Sequence, residues 1–79
     1  MSLNNIALKQ LKEFFESDEQ AQQEMFFSLR ESVKEAIEKI QPNTKSEPEM
    51  VIVISWKAIE NGENESFSFC LNQVNRYIA

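Results

Sequence analysis

Histidine is absent from this chain of 79 residues, and cysteine and glycine each occur once. Each scarcity removes a class of chemistry. Without imidazole there is no ordinary Ser-His or Cys-His pair, no His-carboxylate metal cluster and no base that titrates near neutrality. The lone Cys70 cannot form an internal disulfide, which points to a reducing, cytoplasmic setting where the thiol acts as a small hydrophobe. One glycine cannot furnish a glycine-rich phosphate loop. The longest apolar run, MVIVI at residues 50–54, falls far short of the roughly 20 residues a membrane helix needs. The opening MSLNNIALKQLKEFF lacks a basic segment followed by an apolar run, so no signal peptide is read there.

Positive charge is also in deficit. Eight Lys and Arg face 13 Asp and Glu, for a net charge of -5. That balance keeps a small domain in solution. The basic residues are dispersed, which argues against direct nucleic-acid contact, because phosphate recognition wants them clustered. At this length the chain is one small domain, and it buries only about 60–65% of the surface its unfolded form exposes. A partner subunit would widen so thin a margin.

What is present is apolar patterning. Leu3, Ile6, Ala7, Leu11, Phe14 and Phe15 recur at helical spacing and predict a first helix over 3–16. Ser17 with Gln20 has capping-box spacing, and Asp18 and Glu19 suit a first turn, so a corner is expected there. A second helix should run from about Asp18 to Ile40, with Pro42 beyond it. Its stripe is Phe26, Leu29, Val33, Ala36 and Ile40, widened by Met25 and Ile37. Packing within the chain is the first reading of that stripe and a shared interface the second. Glu31, Lys34, Glu35, Glu38 and Lys39 form the solvated side. The helical part thus covers 3–40, and QPNTKSEPE, 41–49, reads as a linker.

From Met50 to Leu71 the pattern changes. Asn61-Gly62 between two strand-like runs predicts a β-hairpin with a tight turn. In that register Trp56 faces Phe67, Ile54 faces Phe69 and Ile52 faces Leu71 on one apolar face, joined by Ala58. Val51, Val53, Ser55, Lys57, Ser66, Ser68 and Cys70 fall on the wetter face. Residues 72–79, with Leu71, Val74 and Ile78 at helical spacing, predict a short closing helix, with a third strand as the alternative. The expected class is therefore α+β, in the order α-α-β-β-α, with two helices covering the hairpin. Its free strand edges invite pairing with another chain, in the simplest case a homodimer about a two-fold axis.

Chemistry is hard to place on this sequence. Glu60, Glu63 and Glu65 crowd the expected hairpin tip without a base or a cleft, and read as solvated turn residues or as an acidic docking knob. No calcium-loop spacing is present, and no cofactor or metal is expected. Phe26–Phe27 and Phe14–Phe15 are adjacent pairs that cannot both enter one narrow seam, so Phe27 is a candidate interface aromatic. The reading is a small acidic protein-binding module, adaptor or inhibitor in type, self-associating and not an enzyme. Its candidate interaction residues are Glu24, Phe27, Glu31, Glu35, Glu38, Val51, Val53, Glu60, Glu63 and Glu65. One alternative is a nucleic-acid mimic that sets the carboxylates of the second helix into a basic groove, although Lys34 and Lys39 interrupt that charge. The other, less favoured, is a small enzyme with carboxylate chemistry.

Overall fold

Two signals at the ends of residues 47–61 decide the architecture. Ser46 and Glu49 form a complete capping box: the Glu49 N–H donates to Ser46 Oγ at 3.4 Å, and the Ser46 N–H donates to Glu49 Oε1 at 2.9 Å. Pro48 sits in the first turn, where its missing N–H is harmless. At the far end Gly62 takes the left-handed conformation, φ 68° and ψ 31°. The Gly62 N–H donates to the Ile59 carbonyl at 3.2 Å, and the Glu63 N–H to the Ala58 carbonyl at 2.9 Å. This is a Schellman closure of a helix.

The computed structural model describes residues 3–40 and 46–78. Its elements are α1 (Leu3–Glu16), α2 (Glu19–Glu38), α3 (Glu47–Asn61), a 3-10 turn (Asn64–Ser66) and α4 (Phe67–Asn75). Among the described residues there is no strand, so the fold is all-α. The expected α+β class is corrected on this point. The first strand is α3, the Asn61-Gly62 turn is that helix's C-terminal stop, and the second strand is the 3-10 turn running into α4. The closing helix starts at Phe67 instead of near residue 72. Of the expected linker, 46–49 cap and open α3, while 41–45 lie outside the described residues.

The alternation that suggested a strand carries a second period. Ile52, Ser55, Trp56 and Ile59 stand at steps of three, one and three residues, and all four are buried. Ile54 and Phe69, which a sheet would have put inside, are 51% and 61% exposed. The β-branched run Val51–Ile54 costs a helix only a few tenths of a kcal/mol per residue. Ile52 and Trp56 would be inside either way, but only the helix buries Ile59, which returns roughly 1.5–3 kcal/mol. A helix also satisfies its backbone internally, whereas a lone hairpin leaves two open edges.

The first two helices follow the expected stripes with adjustments. Leu8 is buried and Ile6 is 37% exposed, so α1 turns slightly from the predicted face. Asp18, not Ser17, caps α2: its Oδ1 accepts from the Ala21 N–H at 2.8 Å. The Ser17 hydroxyl instead turns back to the Glu13 carbonyl at 2.6 Å. Gln22 Nε2 donates to the Phe14 carbonyl at 2.9 Å and holds the α1–α2 corner. Phe67 meets Phe14 and Phe15 at centroid distances of 5.8 and 5.1 Å, which fixes the start of α4 against α1. One core unites Leu8, Leu11, Leu29, Val33, Ile52, Trp56 and Val74.

Candidate functional site

With α1 and α2 behind them, α3 and α4 lie side by side and leave a groove on their outer face. Its volume is about 320 Å³. The floor is Val51, Ser55 and Cys70, and Met50, Ile54 and Phe69 line it further. Those last three are among the large apolar side chains left exposed, at 47%, 51% and 61%. They are neighbours here for a simple reason. Met50 and Ile54 are one turn apart on the outward side of α3, while Phe69 projects from α4 one residue before the buried Cys70.

The groove is closed at one end by a polar latch. The Tyr77 hydroxyl donates to Glu47 Oε2 at 2.7 Å, across 30 residues of chain. That bond, foremost, pushes the Tyr77 phenol above its ordinary value, since loss of its proton would set two negative charges face to face. On the floor, burial pushes the Cys70 thiol up; a hydrogen bond with Ser55 opposes this and the negative charge of Glu63 adds to it. The thiol is therefore neutral at physiological pH and a poor nucleophile.

A second recess, about 380 Å³, lies between α2 and the α3–α4 corner and is lined by Phe26, Phe27, Ile59 and Phe67 among polar neighbours. Phe26 is partly buried against Trp56, 5.8 Å between centroids, whereas Phe27 is 73% exposed. Phe27 is the large apolar side chain left mostly exposed at this recess, edge-on to Phe26 at 6.4 Å between centroids, with Glu19, Gln22 and Gln23 nearby.

The other sequence-selected residues scatter. Glu24, Glu31, Glu35 and Glu38 are exposed along α2, and Lys39 Nζ approaches Glu35 Oε1 at 3.6 Å. Both members of that pair are more than half exposed, so it contributes little. Glu60, Glu63 and Glu65 are exposed at the corner between α3 and α4, a helix junction and not a hairpin tip. Val51 and Val53 are partly buried on α3; Val51 lines the groove, and neither stands on a sheet edge. Ser55 and Cys70, expected on a wet face, are buried.

Sequence reasoning missed Met50, Ile54 and Phe69 as surface groups. The signal that finds them is the capping box: with Ser46 as N-cap, positions 50 and 54 fall opposite the buried 52, 56 and 59. Among the described residues no group of three or more Asp, Glu or Cys is placed to hold a metal ion. Nor is any described helix long and apolar enough to cross a membrane. No family model matches the chain, and neither a curated protein nor a solved structure shows significant likeness to it.

Proposed function

We propose that this chain is a small acidic protein-binding module, adaptor or inhibitor in type, that self-associates and docks through the outer face of α3 and α4. Its work is binding, without catalysis. The observation that carries this reading is the adjacency of Met50, Ile54 and Phe69, three of the exposed large apolar side chains, over one groove. Several exposed apolar side chains side by side mark an interaction site more strongly than a single one such as Phe27. A groove between two helices suits the apolar stripe of a partner helix.

Photo-crosslinking tests the reading in cells. A benzophenone amino acid in place of Phe69 should give one discrete protein adduct that Ile54→Glu abolishes. The same probe in place of the exposed Lys9 on α1 should not give it. Equal labelling from both positions, or an adduct indifferent to Ile54→Glu, would overturn the docking face.

A further inference from the structure

We infer that the helix received by the α3–α4 groove is α3 of a second copy, packed antiparallel. The inference rests on the docking reading above and names its partner. Four exposed residues of α3, Glu47, Met50, Ile54 and Lys57, form a stripe at steps of three, four and three residues, with Asn61 exposed beyond it at the helix end. Helical geometry places all four on one side, opposite the buried Ile52, Trp56 and Ile59. The stripe is symmetric in position and complementary in charge. The level of residue 52 lies midway between 47 and 57, and also midway between 50 and 54.

A two-fold axis at that level sets two copies of α3 antiparallel with a self-matching register. Met50 of each copy meets Ile54 of the other, and Glu47 of each meets Lys57 of the other. Steps of three and four residues are the repeat that lets two helices interlock along a seam. A parallel pairing would instead stack Glu47 on Glu47 and Lys57 on Lys57, which like-charge repulsion disfavours. The Tyr77 hydroxyl holds the Glu47 carboxylate at the groove mouth, so one partner of each ion pair is already oriented. Among the described residues Lys57 has no ionic partner within its own chain.

Phe69 flanks the stripe from α4 and covers the incoming helix, so the dimer core becomes α3 and α4 of both copies. The stripe from Glu47 to Lys57 spans about 15 Å of helix. A patch near 10% of the 5301 Å² surface from each copy buries roughly 1,000 Å² in all, below the range of stable complexes and within that of weak, transient ones. A reversible dimer with a micromolar dissociation constant is expected.

The experiment is sedimentation equilibrium of the purified full chain with charge reversals. Wild type should dimerise. Glu47→Lys and Lys57→Glu should each weaken the dimer by about tenfold or more, since each reversal sets like charges together twice across the two-fold axis. The double variant Glu47→Lys/Lys57→Glu should recover most of the wild-type affinity, although it lacks the Tyr77 latch and carries Lys in the first turn of α3. Circular dichroism checks that each variant is helical, and a variant that fails to fold is replaced by its neutral counterpart, Glu47→Gln or Lys57→Gln, each expected to weaken the dimer without rescue. A strictly monomeric wild type overturns the inference, as does a double variant no better than the singles. If the residue 69 crosslink nevertheless persists, on a different protein, the second copy is lost as occupant, and self-association with it, while the docking face stands. If the crosslink is lost as well, both fall.

Discussion

Ser55 and Cys70 lie beneath the α3–α4 groove, where burial keeps the Cys70 thiol protonated. Both are buried, with 1% and 2% of their surfaces exposed. Burial raises the thiol from its ordinary value of 9.0. A group whose folded value is raised contributes stability that is fully present below the unfolded value and is lost as pH climbs through the folded one. Tyr77 acts in the same direction from 10.0 upward, because its proton is shared with Glu47. Wild-type stability, followed by urea unfolding with Trp56 as fluorescent reporter, should therefore hold to about pH 8.5 and fall steadily above pH 9. Cys70→Ala should flatten the first part of that fall and leave the later part. A wild-type midpoint unchanged up to pH 10 would contradict the burial of the thiol.

At the scale of the element, α3 depends on its two ends. Gly62 sits at φ 68°, and an added Cβ would meet no atom within 4 Å. Gly62→Ala thus isolates the backbone cost of a left-handed residue from any clash, and urea unfolding should show a loss of about 1 kcal/mol, or up to 2. A hairpin turn of type I′ would need a left-handed residue at Asn61 as well, yet the only positive φ among the described residues is at Gly62. The same element shows how far the sequence could be read. The α1 and α2 stripes were legible because Leu11, Phe14, Leu29, Val33 and Ala36 support a single period. In 50–71 two periods coexist: Ile52, Ile54 and Trp56 alternate, while Ile52, Trp56 and Ile59 turn. Val51–Ile54 tilt the local preference toward strand, and Asn61-Gly62 serves a hairpin turn and a helix stop equally well. Ser46 and Glu49 break the tie, but they lie in a stretch whose two prolines suggest a linker. The acidic surface was legible from composition; the apolar site was not, because Ile54 and Phe69 belong inside a sheet and outside a helix pair.

Across the whole molecule, the distribution of apolar side chains separates what folds the chain from what stays exposed. Leu8, Leu11, Ile52, Val33 and Val74 are fully enclosed and supply the core. Met50, Ile54 and Phe69 are spared from it and gathered on one face between the latch at Glu47 and the exposed Lys57. Amide NMR spectra over roughly a hundredfold dilution test the central claim most directly, since they report which face meets a partner. The changes should concentrate on Glu47, Met50, Ile54, Lys57 and Phe69, leaving α1 and the surroundings of Phe27 still. Changes centred on Phe27 and the carboxylates of α2, or spectra that do not move with concentration, would contradict it.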